Sequence, residues 1–161
     1  MNDNDETFYF GDRDDKKAVE NGTAFAPKFG EDGLLPVVTQ DHATGAVLMV
    51  AYMNEEALSR TLHSKEAVYY SRSRDCLWHK GATSGHVQKV IEARTDCDQD
   101  VLLLKVEQIG PGCCHAGYGS CFYRSVPLGE DVAETVDDHQ VVQLAFVDEK
   151  SYDPDKVYSK P

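Results

Sequence analysis

The run Asp96-Cys97-Asp98-Gln99-Asp100 sets three carboxylates at alternate positions around a thiol. In extended backbone, side chains two residues apart project to one side, so the carboxylates would face one way and Cys97 the other. Carboxylate oxygens suit Mg²⁺ or Ca²⁺ and thiolates suit Zn²⁺, so one short segment could serve two metals from its two faces. A calcium loop fails on its own pattern. Asp96, Asp98, Asp100 and Glu107 would take loop positions 1, 3, 5 and 12, but Val101 stands where the turn needs glycine, and Val101-Leu-Leu-Leu104 reads as buried strand. The remaining alternative is a solvated acidic turn, whose mutual repulsion still favours a counter-cation.

A second reactive stretch is Gly110-Pro-Gly-Cys-Cys-His-Ala-Gly-Tyr-Gly-Ser-Cys121, a glycine-rich loop with three thiols and an imidazole. Backbone freedom there lets distant side chains converge. With Cys97 it suggests a zinc site. The loop thiols stand 16, 17 and 24 residues after Cys97, which gives no pair of knuckles of the kind that builds closed structural sites. Three thiolates with a water in the fourth position fit a catalytic zinc better. A closed site with four ligands drawn from Cys97, Cys113, Cys114, Cys121 and His115 is the alternative. Adjacent thiols rarely both face one metal, so one of Cys113 and Cys114 is expected to be a bystander. The nucleobase deaminases are excluded, because His86 is followed by Val87-Gln88 and Pro111 by Gly112-Cys113-Cys114 rather than by their signature residues. Cys114 and His115 as nucleophile and base is a weaker reading, since sequence neighbours point apart.

These residues need a scaffold. Leu35–Thr39 and Val47–Met53 read as a hairpin across the turn-forming Gln40–Gly45. Asn54 then caps a helix with Glu55 and Glu56 in its first turn and an apolar face of Ala57, Leu58, Thr61 and Leu62. Ala67–Ser71, His86–Arg94, Val101–Val106 and Phe122–Val126 read as short strands, and Val141–Val147 as a further edge strand. The expected fold is a sheet-rich α+β domain with one clear helix and its metal site in loops.

With 161 residues the chain has room for one domain. Residues 1–32 carry 4 bases and 9 acids, residues 33–125 carry 9 and 10, and residues 126–161 carry 3 and 9. The acidity thus belongs to an N-terminal extension and a C-terminal extension around a nearly neutral body. A net charge of −12 speaks against a nucleic-acid partner. Within the body, Arg60 to Arg94 holds seven bases against three acids, an island suited to an anionic small molecule. Five cysteines is an odd number, and with an acidic start unlike a secretory leader, free thiols in the cytoplasm are expected, with no membrane span.

Five segments together carry a family resemblance. Leu48-Met-Val-Ala-Tyr-Met-Asn-Glu-Glu-Ala-Leu58, Tyr70-Ser-Arg-Ser-Arg74, Leu77-Trp-His-Lys-Gly-Ala-Thr-Ser-Gly85, Asp96-Cys-Asp-Gln-Asp100, and Cys114-His115 with Ser120-Cys-Phe122 closely resemble phosphoribosyl-AMP cyclohydrolases of histidine biosynthesis. The likeness runs in order from about Gly33 to Arg124. It implies hydrolysis of the adenine ring of 1-(5-phosphoribosyl)-AMP between N1 and C6. It also implies Zn²⁺ on Cys97, Cys114 and Cys121, Mg²⁺ on Asp96, Asp98 and Asp100, and a homodimer whose zinc ligands come from both subunits. An extra residue in Gly110–His115 lets either Cys113 or Cys114 align as the ligand; the seven-residue spacing to Cys121 and the histidine neighbour favour Cys114.

On that resemblance, water activated by zinc would attack C6, and His115 is the candidate general base, with a structural imidazole as the equal alternative. Arg72, Arg74 and Lys80, with the hydroxyls of Ser71, Thr83 and Ser84, would receive the two phosphates. Trp78 would stack on the purine or serve the core. His79, His86, Cys76 and the Tyr69-Tyr70 pair are read as structural. Nothing after Arg124 reads as a fused helical pyrophosphohydrolase, so a monofunctional enzyme is expected. The competing class is a structural-zinc binding module whose acidic flanks engage a basic partner.

Overall fold

The computed structural model describes residues 8–129, 134–136 and 139–158. In chain order the elements are α1 (Lys16–Asn21), β1 (Leu35–Asp41), β2 (Val47–Met53), α2 (Glu55–Ser64), β3 (Val68–Ser71), β4 (Cys76–His79) and β5 (Gln88–Thr95). They continue with β6 (Leu102–Gln108), β7 (Arg124–Ser125), β8 (Glu134–Val136), β9 (His139–Val141), β10 (Ala145–Phe146) and α3 (Pro154–Tyr158). The architecture is α+β, as expected.

The main sheet has the order β2-β1-β6-β5. The hairpin pairs antiparallel with Val37 opposite Ala51, and β6 lies parallel to β1 with Val37 opposite Leu102. Alternation places Leu35, Val37 and Thr39 of β1 and Leu102, Leu104 and Val106 of β6 in the interior. Helix α2 covers this face through Ala57, Leu58 and Thr61, all buried. Asn54 caps it as the sequence predicts, its side chain accepting from the Ala57 amide at 2.8 Å. The helix stops at Lys65, which turns left-handed at φ 58°. Thr61 ties the helix to β3, donating to the Ala57 carbonyl at 2.8 Å and accepting from the Val68 amide at 2.9 Å.

A chain of polar side chains buried beside the sheet is paired. The Tyr69 hydroxyl stands 2.7 Å from Thr39 Oγ1 and donates to Gln88 Oε1 at 2.6 Å, and Gln88 donates onward to Gln108 at 2.9 Å. Burial pushes the Tyr69 phenol up, so it remains a neutral donor. The chain lets four side chains share one network, which spares each its desolvation penalty of about 1–3 kcal/mol.

Three expectations need correction, and the N-terminal extension, read as partly ordered against the body, is found there. The described residues hold three helices rather than one, because Asp15 caps a short α1 inside the stretch read as an extension and Pro154 opens α3 in the tail. The N-terminal segment packs on the body: Phe10 meets Phe25 edge-on at 5.6 Å and both lean on the core. Strand β4 forms a hairpin with β3, Tyr69 opposite Trp78, where only motif residues had been read. Val141–Val147 is not one edge strand; Val141 ends β9, while Ala145 and Phe146 pair with β7.

Candidate active site

The thiol loop hangs from β2. The Leu48 carbonyl accepts both the Cys121 amide at 2.8 Å and the Cys113 thiol at 3.3 Å, and Ser120 Oγ donates to the Val47 carbonyl at 2.8 Å. Its two strands close on themselves, Cys113 to Gly119 and Cys114 to Tyr118, each at 3.2 Å. Glycine is required inside the loop. A Cβ on Gly112 would sit 2.4 Å from the Tyr118 carbonyl oxygen, and Gly117 holds φ +97° against the Tyr152 backbone.

This arrangement gathers three thiols from two chain positions. Cys113 and Cys114 are both buried and Cys121 is exposed. A hydrogen bond from Cys121 holds the Cys113 thiol below its ordinary range, helped by the Lys80 ammonium, despite burial. The same contact, with burial, pushes Cys121 up, and burial raises Cys114. The neighbouring sulfurs thus influence one another's ionisation, and a bound cation would favour their thiolate forms.

Lys80 is buried beside the loop, its ammonium donating to the Cys113 carbonyl at 2.7 Å and lying 5.5 Å from the Trp78 ring centre. Arg74 lies 5.8 Å from the same ring centre and donates to Ser71 Oγ at 3.1 Å, while Arg72 sits over Tyr52 at 4.1 Å. The indole thus lies within reach of two cations. Thr83 is exposed in the turn after β4, and Ser84 Oγ accepts the His86 amide at 3.2 Å. His115 is exposed next to buried Cys114. A groove of about 480 Å³ along the thiol loop, lined by Leu48, Gly119 and Ser120, carries Asp41, Asp148 and Glu149, an acidic lip unsuited to phosphate.

The carboxylate run lies in the turn between β5 and β6. It is a true turn rather than extended backbone: Gln99 adopts φ 58°, and Asp96 Oδ1 accepts the amides of Asp100 at 3.0 Å and Val101 at 3.1 Å. Asp96, Asp98 and Asp100 come within 4.8 Å of one another because the turn folds them together, not because alternation aligns them. Against the upward push of its burial, those amides hold the Asp96 carboxyl below its usual range. Asp100 is pushed up by its hydrogen bond with Asp96 and by the charges of Asp96 and Asp98. Among the described residues this is the one group of three ligating side chains so close together; Cys97, exposed in the same turn, does not meet Cys114 and Cys121 at that distance within one chain.

One contributor escapes sequence reading, while Cys113, weighed there as ligand or bystander, anchors the loop by donating its thiol to the Leu48 carbonyl. The Tyr152 hydroxyl donates to the Cys114 carbonyl, and the Ser151 amide donates to the Gly117 carbonyl at 2.7 Å, so the tail folds back on the loop. Nothing in the local pattern around Tyr152 signals this.

An α+β body that pairs a thiol loop beside a cationic aromatic wall with a carboxylate turn has the donor sets of the metal-assisted hydrolases. The chain belongs to the phosphoribosyl-AMP cyclohydrolase family, a family of hydrolases, whose profile matches residues 49–123. It is 52% identical over 142 residues to the phosphoribosyl-AMP cyclohydrolase of Rhodopseudomonas palustris strain TIE-1, covering 88% of this chain and 89% of that protein. The Nitrobacter winogradskyi relative of the same name is 54% identical over 141 residues, covering 87% and 91%. That of Desulforapulum autotrophicum is 52% identical over 126 residues, covering 78% and 91%.

Proposed function

We propose that this chain hydrolyses 1-(5-phosphoribosyl)-AMP in the third step of histidine biosynthesis, opening the adenine ring at the N1–C6 bond. The observation that carries the reading is the loop that brings Cys114 and Cys121 together beside the Lys80, Trp78 and Arg74 wall. It works in the cytoplasm, with residues 33–125 as the catalytic body between two acidic flanks; no described helix is long and apolar enough to cross a membrane.

The donor sets fit two metals. Cys114 and Cys121 are soft ligands on one loop that influence each other's ionisation, and on the family resemblance Cys97 from the second subunit of a homodimer completes a three-thiol set. Asp96, Asp98 and Asp100 offer hard oxygens for Mg²⁺. Bound zinc supplies Lewis acidity that makes water nucleophilic near neutral pH. His115 takes the proton of the attacking water on its imidazole nitrogen as the water oxygen bonds to C6. The C6–N1 bond then breaks with its electron pair leaving on N1, which takes the proton back from His115; C6, holding the new oxygen and its exocyclic nitrogen, becomes a carboxamide carbon, and both phosphoribosyl groups remain on the product. Arg72 and Arg74, both exposed, receive phosphate oxygens, joined by the hydroxyls of Thr83 and Ser84. Lys80 spends one of its three N–H donors on Cys113, fixing the loop while its charge faces the same substrate. Trp78 offers its face to the purine.

The test is ring opening of phosphoribosyl-AMP followed by ultraviolet absorbance, on protein stripped by a chelator and restored with zinc. Cys113→Ala and Cys114→Ala are run beside it. Zinc-dependent turnover that survives in Cys113→Ala and is lost in Cys114→Ala supports the reading and the ligand choice. No turnover in folded, zinc-restored protein sinks it and promotes the structural-zinc module.

A further inference from the structure

The segment before β1 and the turn between β5 and β6 are far apart in sequence, yet one side chain joins them. Gln99 is buried between two acidic neighbours that are not. Its Oε1 accepts the Ala26 amide at 2.8 Å, and its Nε2 donates to the carbonyls of Val19 at 3.0 Å and Ala24 at 3.4 Å. Its own carbonyl accepts the Lys28 amide at 2.7 Å. A glutamine amide has one acceptor oxygen and two N–H donors, so both ends of this side chain are engaged by a single foreign segment. Arg13 closes the other side, its guanidinium donating to the Ala26 carbonyl and, at 2.8 Å, to the Asp98 carbonyl.

Gln99 also holds φ 58°, the left-handed region that side chains larger than glycine or asparagine seldom occupy. The flanking ladder does not demand this, since β5 and β6 are already paired down to Thr95 opposite Leu102. The turn's own bonds, from the Asp100 and Val101 amides to Asp96 Oδ1 and from the Gln99 amide to the Asp96 carbonyl, and the outside contacts of Gln99 and Arg13 together hold the conformation that brings three like charges within 4.8 Å. Without them, repulsion would spread the carboxylates.

We propose that residues 13–28 are a strap that fixes the Asp96–Asp100 turn, with Gln99 as its positioning residue. The turn's grip on a divalent cation then depends on a segment that contributes no ligand. That consequence rests on the cation reading above; the mechanical coupling does not.

The test compares full-length protein with Gln99→Gly, Gln99→Ala and Asp98→Asn by amide hydrogen exchange, and by calorimetric titration with Mg²⁺ alone. Gln99→Gly is the sharper variant, because glycine suits φ 58° and removes only the anchors. Exchange is expected to rise together, about tenfold or more, in residues 16–28 and 96–101 of Gln99→Gly, while β1 and β6 keep their protection. Mg²⁺ affinity is expected to fall by at least about tenfold, as for a lost supporting contact at a metal site. Exchange that rises in 16–28 while 96–101 stays as in the intact protein overturns the strap, as does unchanged Mg²⁺ affinity in Gln99→Gly where Asp98→Asn loses it. If the intact protein binds no Mg²⁺ at the turn, the cation reading falls, and exchange alone still decides the coupling.

Discussion

The two ligand-rich regions are built in opposite ways. The carboxylate turn is made within five residues, with Asp96 Oδ1 collecting two amides of its own turn and only the strap reaching it from outside. The thiol loop is held from four sides: by Leu48 of β2, by Lys80 beyond β4, by Tyr152 of the tail, and by its own tight closure. A short acidic turn can gather hard oxygens with little help, because carboxylates are carried on adjacent backbone. Burying two adjacent thiols next to a third needs the surrounding fold, because the loop must turn tightly enough to leave no room for a single Cβ at Gly112. The oxygen site should therefore fail locally and the sulfur site globally.

The largest contrast is expected from removing one donor in each. Cys121→Ser should cost zinc retention and about a thousandfold in turnover, since a Lewis acid contributes several kcal/mol and each ~1.4 kcal/mol is a factor of ten. Asp98→Asn should leave zinc stoichiometry intact and weaken Mg²⁺ alone. Metal analysis of both purified proteins checks this, and joint loss of both metals in either variant would erase the division between the sites. Next in size is Gly117→Ala. A Cβ there meets the Tyr152 carbonyl oxygen at 2.6 Å on a backbone at φ +97°, so about 2 kcal/mol or more of stability and roughly 4–8 °C in Tm should go. Thermal melts read it; an unchanged Tm would mean that the tail does not brace the loop.

Much of this was legible in residue pattern, and the exceptions share a cause. Strands β1, β2 and β6 announce themselves by alternating apolar residues, and α2 by its cap and face. The donor residues announce themselves by type. Misreadings arose where a tertiary partner decides the outcome. Alternation of Asp96, Asp98 and Asp100 suggested a strand-like face, but Gln99 is bent left-handed by contacts with a segment some seventy residues earlier. Val141–Val147 has the composition of one strand, and which residues pair is set by β7, invisible to periodicity. Leu77 and Trp78 were motif residues before they were a strand because a four-residue run gives too few alternations to count. Tyr152 reaches Cys114 across 38 residues, a contact that no local signal encodes.

The smallest effect belongs to acid. Asp96 is held below its ordinary value of 3.8, so its contribution to stability is present above that value and fades as pH falls through the depressed one. Asp100 runs the other way: pushed up by Asp96, its favourable contribution exists only at low pH and is lost as pH rises through its raised value. The two act in opposite senses as pH falls. Asp96→Asn separates them, because the amide oxygen can still accept from Asp100 and Val101 while the charge that raises Asp100 is gone. Carboxyl titration by NMR should then show Asp100 moving down toward the ordinary range, with a flatter loss of stability below about pH 4. The thiol loop should not respond, since neither Asp96 nor Asp100 is among the groups that shift its thiols. If Asp100 titrates as before, the carboxylates do not sense one another in solution, and the turn is an open acidic surface rather than a gathered set of oxygens.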